Sequence, residues 1–173
     1  MISMSSQDRT KRLSMAALLA ALALIFSYVE AMVPSPVAMP GVKLGVANLV
    51  ILIALYQLDF KYAFSINLVR IVVSGLLFSG VFGILYSLAG GMLSLVIMWA
   101  LKKTNLFSIV GVSMAGGVAH NIGQILVASA VVSDLKMFAY LPILMFSGII
   151  SGILIGFLCH YVMLALKMDK YKL

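Results

Sequence analysis

Charge is scarce in this chain. Of 173 residues only 10% are Asp, Glu, Lys or Arg, and only five are acidic. Soluble domains carry about a quarter charged residues, so the shortage excludes an ordinary water-facing surface. Cysteine occurs once, at Cys159, which excludes an intramolecular disulfide and leaves a small packing residue. The acidic residues Asp8, Glu30, Asp59, Asp134 and Asp169 stand singly, whereas a diphosphate held through Mg²⁺ requires clustered carboxylates. There is no GxxxxGK(S/T) loop, so the chain cannot hydrolyse ATP alone, and no Ser/His/Asp or Cys/His set shows by spacing. The two histidines, His120 and His160, fall on different segments, too far apart to suggest a metal site. These absences predict a protein that is not an enzyme and carries no cofactor and no metal.

What the chain has is apolar length. Hydrophobic residues make up 64% of it and its mean hydropathy is +1.17, which marks an integral membrane protein. A spanning helix needs about 20 mostly apolar residues. Breaks at "VPSPVAMPGVK", "LDFK", "SGVFG", "LKKTN" and "VSDLKM" divide the run into spans near 13–33, 44–58, 61–78, 81–101, 107–132 and 138–166. Lipid cannot satisfy backbone N–H and C=O groups, and alternation with period two is poor, so the fold class expected is an all-α bundle of about six transmembrane helices. The first span lacks a small-residue cleavage site and reads as uncleaved. The expected division is an N-terminal segment 1–12, a single transmembrane domain 13–167 and a tail 168–173.

Six spans put both termini on one side, and the basic residues choose it. With the termini cytoplasmic, Arg9, Lys11, Arg12, Lys61, Lys102, Lys103, Lys167, Lys170 and Lys172 lie inside, and only Lys43 and Lys136 outside. The net charge of +7 is then explained by anionic lipid and topology, and nucleic acid is set aside. The expected location is the plasma membrane of a bacterial cell.

Polar groups within the spans are few and costly, at least about 2.5 kcal/mol for an ionisable group near mid-bilayer. Arg70 falls midway along the third span and shares a face with Asn67 and Ser74. Glu30, near the outer end of the first span, is placed to pair with it. Either the pair fixes helix register or it lines a ligand cavity; a purely structural pair is an expensive way to hold helices. On the fifth span His120, Asn121 and Gln124 form a polar patch beside Gly116, Gly117 and Gly123, which leave space. At the mouth of the second span, Pro40 and Gly41 turn the chain, Lys43 stands at the entrance, Gly45 permits close approach, and Asn48 begins a helix whose N-terminus favours an anionic or carbonyl-bearing ligand. Small residues recur at helix-packing spacing: Ala16 with Ala20, Ala17 with Ala21, and Gly148, Gly152, Gly156. Each set fits either internal packing or the docking of another membrane subunit.

The segments "SMAALLAALALIFSYVEAMVP", "PGVKLGVANLVILIALYQL", "LVRIVVSGLLFSG", "LAGGMLSLVIMWALKK" and "GVAHNIGQILVA", in that order, resemble the bacterial family called Gx transporters, also labelled heptaprenyl diphosphate synthase component I. More distantly the first three are similar to the substrate-binding S-components of energy-coupling factor transporters. That resemblance implies a six-helix, vitamin-binding or precursor-binding uptake subunit that works with a separate transmembrane energising subunit and ATPases. It implies a docking face at Ala16 and Ala20, or at Ala17 and Ala21, and a gating loop at Pro40, Gly41 and Lys43. Glu30, Asn48, Arg70, His120, Asn121 and Gln124 would line the pocket, with Asn67 beside Arg70. The synthase label implies instead a noncatalytic membrane partner in an isoprenoid-quinone system, and relatives of the family imply flavin-based electron export, with a quinone or flavin as ligand.

Overall fold

The computed structural model describes residues 6–32 and 45–166, and every regular element among them is helical. The order is α1 (Ser6–Met32), α2 (Val46–Gln57), α3 (Phe60–Ser74), a π-helical turn (Gly75–Ser79), α4 (Gly80–Thr104), α5 (Ile109–Val132), a 3₁₀ turn (Leu135–Tyr140) and α6 (Leu141–Ala165). Four apolar runs, Ser6–Met32, Phe60–Thr104, Ile109–Val132 and Leu135–Ala165, are long and apolar enough to cross a membrane.

The 45-residue run Phe60–Thr104 is a hairpin. Asn67 on α3 donates to the Gly91 carbonyl on α4 at 3.0 Å, and Gly75 abuts Ile84, so the two helices lie antiparallel. The reversal falls within "SGVFG", where Gly80 takes φ 67°, a left-handed value that a side chain disfavours. The break read from sequence is therefore a turn that costs almost no residues outside helix. At the other end, α1 begins seven residues before the apolar run. Its first turn carries Asp8, which suits a helix N-terminus, and the following Lys and Arg are good helix formers that need no lipid to stay helical.

α2 is the centre of the bundle. Its 12 residues span about 18 Å, short of the roughly 30 Å of a hydrocarbon core. Leu49 through Tyr56 are buried without interruption, as expected of a helix apolar on all sides. α1 and α3 flank it in parallel: Arg12 pairs with Asp59 at 3.6 Å at one end, and the Tyr28 and Phe78 rings meet with centroids 5.4 Å apart at the other.

α5 is clasped between α4 and α6 through glycines. A methyl group at Gly152 would lie 2.6 Å from the Met114 Cα, one at Gly156 2.7 Å from the Val110 Cα, and one at Gly148 2.8 Å from the Gly117 carbonyl oxygen. The ladder Gly148, Gly152, Gly156 is therefore spent on internal packing against α5. On α1, Ala16 is buried and Ala20 packs against the same core, whereas Ala17 and Ala21 stand exposed. Only the second alanine pair is on the outer surface.

Candidate functional site

The polar side chains gather where α1, α2, α3 and α4 converge. On α3, Arg70 is 8% exposed and Asn67 1%. One guanidinium nitrogen of Arg70 donates to the Asn67 Oδ1 at 2.8 Å, and the Asn67 amide donates in turn to the Gly91 carbonyl. The amide is thus held in one orientation, oxygen toward Arg70. The Nε of Arg70 is buried and has no hydrogen-bond partner among the described residues. A buried guanidinium with an unmade bond is expensive unless something else supplies an acceptor.

Glu30 on α1 serves α2. Its Oε1 accepts from the backbone N–H of Val46, the first residue of α2, at 2.5 Å, while Gly45 ahead of it turns through φ 73°. A carboxylate there satisfies one orphan donor and faces the positive end of the helix dipole. Glu30 also acts electrostatically on Arg70. One carboxylate therefore addresses both the α2 terminus and the α3 cation, and its charge is shared between them.

α4 meets α5 at adjacent glycines. A methyl group at Gly90 would lie 2.7 Å from the His120 carbonyl oxygen and 2.8 Å from the Gln124 Cγ, and one at Gly91 would lie 3.1 Å from the Asn67 Nδ2. His120 and Gln124 on one side and Asn67 on the other are thus separated by little more than the α4 backbone. Asn121 departs from the expected patch: its amide donates to the Leu144 carbonyl on α6 at 2.5 Å, a helical turn of 100° per residue having carried it to the neighbouring seam. Asn48, in the first turn of α2, has its amide nitrogen 3.7 Å from where a methyl group at Gly45 would lie, a position 3.2 Å from the Ile155 Cδ1 on α6. Pro40, Gly41 and Lys43 lie outside the described residues.

Sequence reasoning missed Ser27. It sits one turn before Glu30 on the inward face of α1, is 9% exposed, and its Oγ has no partner among the described residues. The signal was present as "SYVE", a serine and a glutamate at i, i+3, on one helix face. It also missed the glycines Gly90 and Gly91, whose lack of side chains lets α3 and α5 approach the same stretch of α4.

A family model described as heptaprenyl diphosphate synthase component I matches residues 19–162. The chain belongs to that family. No curated protein and no solved structure matches the chain, so the more distant likeness to S-components rests on the residues alone. The family's description names a synthase. In this member Glu30 caps α2, Asp59 caps α3 beside Arg12 at the opposite end, Asp134 caps the 3₁₀ turn and Asp8 begins α1. Among the described residues no three His, Cys, Asp or Glu side chains gather.

Proposed function

We propose that this family member is a noncatalytic membrane subunit that binds a small molecule at the Arg70 site, as the substrate-binding part of an uptake transporter in the bacterial plasma membrane. Its energising transmembrane subunit and ATPases are separate chains. The observation that carries this reading is the Arg70 guanidinium, buried near the middle of the bundle with its Nε unbonded among the described residues. A structural ion pair in so apolar a setting would be expected to use every donor.

Six crossings with both termini cytoplasmic fit the arrangement. Arg12, Asp59 and Lys102 meet at one end of the bundle, next to Lys61 and Lys103, which agrees with the excess of basic residues assigned to the cytoplasmic side. Glu30 and the N-terminus of α2 then lie toward the outside, and Arg70 lies below them.

The family's description, a heptaprenyl diphosphate synthase component, favours a second reading, a noncatalytic membrane partner in an isoprenoid-quinone system, and the resemblance noted from the sequence extends it to flavin-based electron transfer. One measurement separates the two. The protein is purified alone in mild detergent and analysed by native mass spectrometry, and any bound small molecule is extracted. A stoichiometric vitamin-like or precursor molecule that is lost in Arg70→Ala sustains the uptake reading. A quinone or flavin, or tight co-purification with a flavoprotein or prenyl synthase, replaces it with the second.

A further inference from the structure

Two polar groups on the facing helices α1 and α3 are buried and unbonded among the described residues: the Oγ of Ser27 and the Nε of Arg70. The register of the parallel pair is fixed at both ends, by Arg12 with Asp59 and by Tyr28 with Phe78. Ser27 therefore lies one to two turns above Arg70, on a seam where Arg70 and Ser74 share a face of α3 at i and i+4 and Phe78 follows in the π-helical turn. The seam holds a hydroxyl, which gives or accepts a hydrogen bond, and an N–H of a permanent cation. Glu30 acts electrostatically on that cation and also accepts from the N–H of Val46 at the positive end of the α2 dipole.

The same seam borders the bilayer. At its outer end it is bridged by the Tyr28–Phe78 ring pair, whose members are 47% and 44% exposed. Val29 and Met32 on α1, and Leu76, Leu77, Val81 and Phe82 around the hairpin turn, are exposed beside it. These are lipid-facing surfaces in a chain of this kind. Among the described residues the polar seam thus lies behind the Tyr28–Phe78 contact, with acyl-chain surroundings on its other side.

We propose that the molecule held at Arg70 is an amphiphile with an oxyanion headgroup, its oxygens taking the free bonds of Arg70 and Ser27, and that it enters sideways from the bilayer between α1 and α3 past Tyr28 and Phe78. This rests on the reading of Arg70 as a ligand residue given above. The headgroup chemistry is that of a phosphate or phosphonate monoester; a water-borne phosphate offers the same oxygens without the chain.

The test uses the full-length protein in a nonionic detergent, titrated calorimetrically with decyl phosphate, methyl phosphate and inorganic phosphate. Decyl phosphate is expected to bind at least 100-fold more tightly than methyl phosphate, and Arg70→Gln to weaken it at least tenfold. Ser27→Ala is expected to weaken it several-fold with a melting temperature that does not fall, since a buried hydroxyl without a partner among the described residues gives the fold no bond to lose. Tyr28→Ala combined with Phe78→Ala is expected to speed exchange of labelled decyl phosphate several-fold while affinity stays within threefold. If methyl phosphate and inorganic phosphate bind as tightly, and depend on Arg70, the ligand is water-borne and the amphiphile is overturned while the Arg70 ligand role stands. Exchange that is unchanged in the double variant overturns sideways entry. If no phosphate compound binds in an Arg70-dependent way, the oxyanion is overturned, and the molecule extracted from the purified protein then decides whether Arg70 holds a ligand at all.

Discussion

Lys102, in the last turn of α4, donates its ammonium proton to the backbone carbonyl oxygen of Leu55 at 2.7 Å, near the C-terminal end of α2. At the opposite end of the same helix Glu30 accepts from Val46. The short central helix therefore has a cation at its negative end and an anion at its positive end, the arrangement its dipole favours. Neither group comes from α2 itself, which is apolar throughout its buried length. Two neighbours supply the polar closure that the core helix lacks, one at each of its ends.

The Lys102 contact predicts a specific loss. Lys102→Met removes the donor but keeps the aliphatic stem over the Tyr56 ring, from which the ammonium lies 4.9 Å. The carbonyl loses a charge-assisted bond, worth about 1–3 kcal/mol. The expected result is a lower melting temperature in detergent, with most of the loss recovered in Lys102→Arg. A melting temperature equal to that of the wild type would show the bond to be replaceable by water.

The glycine seam between α5 and α6 predicts a contrast within one helix type. Gly152→Ala drives a methyl group against the Met114 backbone at 2.6 Å, and backbone cannot swing away as a side chain can. Overpacking of this kind costs about 1–3 kcal/mol. Gly111→Ala on α5 meets nothing nearer than 3.7 Å and gains helix propensity of up to about 1 kcal/mol. Thermal denaturation of the two variants side by side is expected to move in opposite directions.

The alternation of apolar runs and polar breaks made the helices readable, because in lipid a run of apolar residues has few alternatives to a helix. The sequence could not show that α2 would be wrapped on all sides, since a buried helix and a lipid-facing helix are both apolar. Arg70 and Asn67 were legible as a pair because they share a helix face. Their link to Gly91 was not, because that bond depends on how the α3–α4 hairpin aligns across the π turn. Asn121 shows the same limit: three polar residues within five positions suggested one patch, but the 100° step between His120 and Asn121 sends them to different neighbours. Ser27 was easily passed over for a simpler reason: a serine in a membrane helix can bond its own backbone, so only its i, i+3 spacing to Glu30 marked it.

Asn67 predicts a positioning effect that can be told from a purely structural one. Its oxygen holds Arg70 and its nitrogen holds Gly91, so Asn67→Ala removes both bonds. The Gly91 carbonyl is already satisfied within its helix, whereas Arg70 loses the hydrogen bond that orients its guanidinium on α3. Ligand affinity is expected to fall about tenfold, the equivalent of about 1.4 kcal/mol, and Asn67→Asp is expected not to restore it, because a second carboxylate beside Arg70 neutralises the cation that attracts an oxyanion and has no proton to give the Gly91 carbonyl. A stability loss with unchanged affinity in both variants would confine Asn67 to packing.

The two alanine pairs on α1 now predict different phenotypes. Ala16 is buried and Ala20 packs against the core formed with α2, so leucine at Ala16 must push helices apart, and the expected result is a destabilised or poorly expressed protein. Ala17 and Ala21 are exposed, beside Leu18 and Ile25, and leucine there meets only what lies outside the bundle. If a separate transmembrane subunit docks on α1, small residues at these two positions let its backbone approach closely. Ala17→Leu with Ala21→Leu is then expected to leave folding and ligand affinity intact while reducing capture of the partner subunit from membrane extracts at least tenfold. Retention of the partner by this variant would move the docking surface off the Ala17–Ala21 face of α1.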